Sequence, residues 1–282
     1  MRVILFKNGL MNKIEPIQES VFKKSHISVK GYLPKVNIFI ERDRFIIKTA
    51  ENNDELIKAL KLRHEVFYRE LLNRKLLLGI DYDRFDLKCD HLILIDKKNG
   101  RYFGTYRLNS SKFIKKFYSE TEFRLENIIN LEGTKLELGR ACVHREYRNG
   151  CSIALLWRGI TEYMKTTDTK YLFGCSSIKT IDKHKIAAIH KFLMKNHQIP
   201  SELQVSAKGK FKIRNFNSSL DAVTSDEVEK AVEMIPPLLR SYLNMGAFIC
   251  GEPALDRKFK CVDYFTFFNL EQSNKVQKKY KV

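Results

Sequence analysis

The chain predicts an α+β fold, with a mixed and mostly antiparallel central sheet flanked by helices. Three observations lead there. Two strand-like runs, His91–Asp96 and Arg101–Leu108, flank Lys97-Lys98-Asn99-Gly100, and an Asn-Gly pair between alternating runs is a hairpin signal. Later strand-like runs are separated by helical periods instead of tight turns. Between these regions, Leu136–Val143 reads as a strand that feeds through a short polar loop, His144–Gly150, into an amphipathic helix.

The remaining elements follow the same logic. Arg44–Thr49 is apolar and β-branched enough for a strand. Asn52 with Glu55 three residues on gives an N-cap and capping-box pair. The helix that follows places Leu56, Leu60, Val66, Phe67 and Leu71 near helical spacing. Residues 79–90 are acidic and punctuated, hence a loop. Ile153, Leu156, Ile160, Tyr163 and Met164 describe a helix face, and Tyr171–Ser176 is the next strand. A further helix covers roughly 183–195, and residues 206–224 read as loop. Asp226–Met234 is helical and Pro236-Pro237 interrupts it. Pro237–Gly246 restarts a short helix that ends on a glycine cap, before late strands at 247–250 and 261–270.

Composition sets the bounds. The 282 residues are 44% hydrophobic, enough to bury a full core. Residues 1–41 read as an extension that packs on or precedes a single domain over 42–282, which ends in a helix–strand addition and a basic tail. No run reaches the length of a membrane span, and the first residues lack the apolar core and cleavage site of a signal peptide. The expectation is therefore a cytoplasmic protein. Its cysteines, Cys89, Cys142, Cys151, Cys175, Cys250 and Cys261, show no metal spacing and read as reduced thiols. The formal net charge of +18 suits an acidic protein or an anionic membrane surface. With no finger, RNA-recognition signature or long basic helix, nucleic acid is not an expected partner.

The chemistry concentrates on Glu137 and Arg140. Strand side chains alternate faces, so a spacing of three sends the two to opposite sides. One extra residue in the strand, placed at Gly139, returns them to one face. An acid, a guanidinium and freed backbone N–H groups then converge, which is equipment for acyl transfer: a base for an amine nucleophile and donors for an oxyanion.

The pattern as a whole resembles a family. Leu62-Arg-His-Glu-Val-Phe67, Asp83-Arg-Phe-Asp86, Cys89-Asp-His-Leu92, Gly104-Thr-Tyr-Arg-Leu108, Glu137-Leu-Gly-Arg140 and Tyr147-Arg-Asn-Gly150 occur in one order. Leu155-Leu-Trp157, Tyr171–Ser177, Pro236–Gly246 and Cys250-Gly-Glu-Pro253 continue it, across roughly residues 44–270. This is similar to GNAT-superfamily N-acyltransferases of the ornithine–acyl carrier protein branch, often labelled hemolysin-like, and more distantly to acyl-homoserine-lactone synthases. The resemblance implies a GNAT-like sheet with a cleft between splayed central strands. It implies roles around the donor and acceptor pocket for Arg63, Phe67, Asp83, Asp86, Arg107, Glu137 and Arg140, and Trp157 is expected to line an acyl tunnel.

Acids Asp83, Asp86 and Asp90 suit a cationic amine, and Arg107 and Arg140 suit a carboxylate. Their structural alternatives are loop fixing and ion pairing, with Arg63 matched to Asp83 or Asp86. Arg148, Asn149, Gly150, Cys151 and Ser152 stand where CoA-dependent members cradle a pyrophosphate, but the later glycine of that loop is missing. Backbone N–H groups at a helix N-terminus still suit one phosphate. The phosphopantetheine of an acyl carrier protein is thus the expected co-substrate, with no permanently bound cofactor and no metal.

The expected reaction is direct aminolysis of a fatty, and for some members 3-hydroxy, acyl thioester by the α-amine of an amino acid, ornithine by resemblance. The product is a lyso-ornithine lipid, which brings brief contact with the inner face of the cytoplasmic membrane. A Cys142 or Cys151 acyl-enzyme, with His144 as base, is a competing route. Rival functions are an autoinducer-type synthase, a CoA-dependent acetyltransferase and a non-enzymatic membrane-active protein.

Overall fold

A β-bulge in the sixth strand organises the molecule, whose computed structural model describes residues 29–271. The main sheet has nine strands. Its first half is β1 (Phe39–Arg42), β2 (Phe45–Thr49), β3 (Asp90–Asp96), β4 (Arg101–Ser110) and β6 (Thr134–Val143), each antiparallel to its neighbour. Parallel to β6 runs β7 (Thr169–Ile178), followed by β11 (Cys261–Asn269), which pairs with β10 (Ala254–Asp256) and β9 (Phe248–Ile249). A two-stranded piece, β5 (Phe123–Arg124) with β8 (Ser206–Ala207), lies apart.

The predicted elements form with small shifts at their ends. The hairpin turn at Lys97–Gly100 joins β3 to β4, with Gly100 at φ +66. Helix α1 (Asn53–Arg63) starts where Asn52 Oδ1 accepts the Glu55 N–H at 3.0 Å, while Glu55 reaches back to the N–H of Glu51. Beyond α1 the pattern read as continuous helix differs: His64–Leu71 is π-helical. The wider turn re-aims Phe67 and Leu71 toward the interior cavity described below. After α2 (Glu126–Ile129) and β6, Asn149 caps helix α3 (Gly150–Thr167) by accepting the Ser152 N–H at 3.1 Å.

Helix α4 (Lys183–His197) starts on an Asp182 cap. The expected loop over 206–224 contains β8 and a short helix, α5 (Phe216–Asp221). Helix α6 (Ser225–Lys230) starts on a capping box from Thr224 and Glu227, and α7 (Pro237–Asn244) has proline at its first position, where no donor is lost. Residues 39–41, read as part of an extension, belong with Arg42 to the edge strand β1 of the main sheet. Upstream of it, the backbone N–H groups of Lys35 and Val36 bond Asp90. Residues 1–28 and the basic tail fall outside the described residues.

Apolar clusters pack on both faces of the sheet. Leu172, on β7, joins Leu155, Trp157, Ile160 and Phe268 under α3. Its neighbour Phe173 points the other way, to Phe117, Phe123 and Phe265. Alternation along one strand therefore divides the two sides of the molecule.

Candidate active site

The β4–β6 ladder pairs Thr105 with Cys142 and Arg107 with Gly139, so Tyr106 alone faces Arg140 and Ala141. That is the extra residue the spacing required. It sits one position later than expected: Arg140, at φ +53, takes the left-handed conformation, and Gly139 does not. The outcome for the side chains is as argued. Arg140 and Arg107 both bond Asp83, Asn109 two residues after Arg107 bonds Glu137, and all four occupy one face.

The β6–β7 ladder ends at the pair Glu137–Phe173. Beyond it the strands part, and residues 138–143 have no ladder partner on the β7 side among the described residues. A cavity of about 360 Å³ fills the gap. Its apolar part comes from Trp157, Leu172, Leu239, Tyr242, Met245 and Phe268. Its polar part comes from Tyr118, Glu122, Glu137, Arg140, Asp256 and Asp263. Phe67, Arg107 and Trp157 line it as well, so these expected residues meet at one place.

Arg63, Asp83 and Asp86 are absent from that lining. Arg63 is 0% exposed and bonds Asp81 at 2.9 Å and Asp86 at 2.7 Å. Arg107 bonds Asp83 at 2.7 Å and Asp86 at 3.0 Å, and Arg140 bonds Asp83 at 3.2 Å. Against the cost of burial, Arg63 and Arg107 hold the Asp86 carboxyl below the usual carboxylate range. Burial likewise opposes, and Arg107 and Arg140 reverse, the shift at Asp83, which is also lowered. These acids are committed to three guanidiniums and cannot also receive an amine without breaking buried pairs, which is costly. They fix the two arginines that face the cavity. Asp90, also considered for an amine, accepts the N–H groups of Lys35 and Val36 and the Tyr163 hydroxyl instead. Burial pushes His91 down to about 4, so it stays neutral while its Nε2 meets the Asp86 carbonyl at 2.9 Å.

Glu137 is 3% exposed and its carboxylate accepts four donors. They are the N–H of Tyr118 (2.7 Å), the N–H and hydroxyl of Ser119 (both 2.6 Å) and Asn109 Nδ2 (3.0 Å). It thereby holds the 3-10 turn Ser119–Thr121, whose flanking residues Tyr118 and Glu122 both enter the cavity. An acid with both oxygens so engaged has no free lone pair aimed at a nucleophile.

Near Arg140 stands a cluster the sequence reading did not single out. Glu122 and Asp263 lie against each other beside the Tyr118 hydroxyl, with Asp256 near. Burial, reinforced by Asp263, pushes Glu122 up to about 9, and burial also raises Asp263. No local motif marks these acids, since tertiary folding joins positions far apart in sequence. Asp256, Cys261 and Asp263 also bring three potential metal ligands within 4.8 Å of one another.

At the start of α3, Arg148 forms a bidentate pair with Glu70 at 2.5 and 2.8 Å and bonds the Val143 carbonyl. Asn149 and Ser152 are engaged in the cap, and Gly150 has open space around it. Asn149, Cys151 and Ser152 line a separate polar hollow with Arg44 and Arg101. Burial raises the Cys142 thiol to about 12 and the Cys175 thiol well above its ordinary value, so neither is a ready thiolate. His144 faces Arg101 at 2.8 Å.

A bulged strand, a parallel pair that splits, and a cavity in the split define a GNAT-like fold. Residues 62–158 match the acetyltransferase (GNAT) domain family. Among curated proteins, an L-ornithine N(alpha)-acyltransferase from Brucella abortus is 28% identical over 242 residues, covering 80% of this chain and 84% of that protein. One of the same name from Rhodobacter capsulatus is 27% identical over 248 residues, covering 83% and 93%. A solved CoA-dependent acyl-homoserine lactone synthase, with SAM and isopentyl-CoA, is 14% identical with a TM-score of 0.44, over 78% of this chain and 77% of that one. Among the described residues, no helix is long and apolar enough to cross a membrane.

Proposed function

We propose that the protein transfers a long acyl chain from the phosphopantetheine thioester of an acyl carrier protein to the α-amine of ornithine, giving a lyso-ornithine lipid. The observation that carries this reading is the two-sided cavity in the β6–β7 split, apolar toward α3 and α7 and charged on the opposite face. An acyl chain belongs in the first half and an amino acid in the second, with the thioester between. The open edge of β6 offers backbone groups to the amides of a pantetheine arm, in the manner of an added strand. The names of the curated relatives support ornithine as acceptor.

In this reading Arg140 takes the acceptor carboxylate. Its Nη2 bonds Asp83, and its Nε makes no hydrogen bond among the described residues but lies 3.7 Å from Asp81, so an acceptor carboxylate would share the guanidinium with these acids. The α-amine attacks the thioester in its neutral form, and the thiol leaves with the proton that the amine loses. Glu137 serves as a positioning residue. Trp157 and Phe67 shape the acyl path. A carrier protein suits the donor side because the α3 start presents one helix N-terminus and the basic chain attracts an acidic partner. Arg148 would exchange Glu70 for the donor phosphate. Leu71 on the cavity rim, with Leu77 and Leu78, is exposed near Arg74 and Lys75, which suits brief contact with the anionic inner face of the cytoplasmic membrane.

The test combines purified protein with long-chain thioesters of acyl carrier protein and of CoA, and follows products by mass spectrometry. N-acyl-ornithine formed from the carrier thioester is expected. Folded protein that forms no N-acylated amino acid from either donor rejects the reading, and acetyl transfer alone makes it an acetyltransferase.

A further inference from the structure

We propose that Glu122 and Asp263 form a subsite for the side-chain ammonium of a diamino acid acceptor, an inference that rests on the acyl-transfer reading above. Glu122 is 1% exposed and lines the cavity, and its Oε2 has no hydrogen-bond partner among the described residues. The Glu122 carboxyl lies against the Tyr118 hydroxyl and Asp263, and its one unpartnered, buried oxygen is a place where a ligand N–H gains a hydrogen bond. Asp263, from β11, faces the same space and is bonded by the Ser177 hydroxyl opposite it on β7. Asp256 joins them but accepts the N–H groups of Lys258 and Phe259 at 2.7 and 3.1 Å, which leaves it less free.

The charges around the pair suit a zwitterion with an extra cation. Arg140 stands over the Tyr118 ring at 5.0 Å, and the Tyr118 hydroxyl lies against Glu122. A carboxylate held at Arg140 would thus lie by the face of this ring, and an ammonium held at Glu122 by its hydroxyl. Cys261 contacts Asp263 at 3.8 Å, and Lys179 lines the cavity from an exposed position.

The experiment compares ornithine with norvaline, which lacks only the terminal ammonium, for the wild type, Glu122→Gln and Asp263→Asn. Wild type should favour ornithine, and each variant should lose about tenfold or more of that preference, in line with removal of one charge-assisted hydrogen bond. Norvaline turnover in the same variant reports that the site is folded. Calorimetry should show ornithine binding to the wild type about tenfold or more tighter than norvaline, and that difference lost in Glu122→Gln. An ornithine preference that survives both substitutions overturns the subsite and leaves acyl transfer standing. Binding that prefers ornithine to norvaline and loses the preference in both variants, but no acylation of any amino acid, sustains the subsite and rejects the acyl-transfer reading. A stoichiometric divalent metal retained by the purified protein and lost in Asp263→Asn assigns the cluster to the metal and overturns the proposal.

Discussion

The Leu138 carbonyl oxygen lies 2.2 Å from where a Cβ on Gly174 would stand. The contact falls one step past the last β6–β7 pair, Glu137 with Phe173, where the two strands begin to part. Close backbone approach at that step is possible only without a side chain. The cavity begins immediately beyond it, lined by Leu138 and Gly174 themselves.

Gly174→Ala should therefore push β7 from β6 at the head of the cavity. We expect a loss of about 1–3 kcal/mol in stability, as for other overpacked sites. Transfer of long chains should fall more than the melting temperature alone explains. Denaturant melts and kcat/KM for the long-chain donor, measured below the melting range, check this. An unchanged melt would show that the strands absorb a methyl group at this point.

Glu137→Gln replaces an acceptor of four donors by a group that carries two donors of its own. At least one N–H of the Tyr118–Ser119 turn then loses its partner, at a cost of about 1–3 kcal/mol. Because Glu137 positions Tyr118 and Glu122, turnover should fall, while the acid limb of the pH–rate profile stays where it is in the wild type. Loss of that limb would instead make Glu137 the proton acceptor.

Glu122 gives a pH dependence with a definite sign. Its carboxyl titrates near 9 in the fold, well above the ordinary carboxylate range. Between the unfolded and folded values the native state holds a proton that the unfolded chain has released. The contribution of Glu122 to stability is therefore full below the ordinary carboxylate range and falls as pH rises toward 9, by at most about 1.4 kcal/mol per pH unit. Glu122→Gln should flatten that decline and melt higher than the wild type at pH 8, although it handles ornithine less well. Parallel melting curves for the two proteins across pH 5 to 9 would contradict the buried protonated pair.

The sequence by itself determined the order and type of the main elements, because each rests on local signals. Asn52 and Asn149 cap helices with their own side chains, and Asn99-Gly100 turns the hairpin. It also carried the argument for an extra residue between Glu137 and Arg140, since strand alternation is a rule of local geometry. Tertiary structure decided what those side chains face. It gave Asp83 and Asp86 to arginines, gave Glu137 to a turn, and brought Glu122 to Asp263 across the cavity. Buried charge settles with whichever partner packing delivers, and spacing along the chain cannot encode that choice.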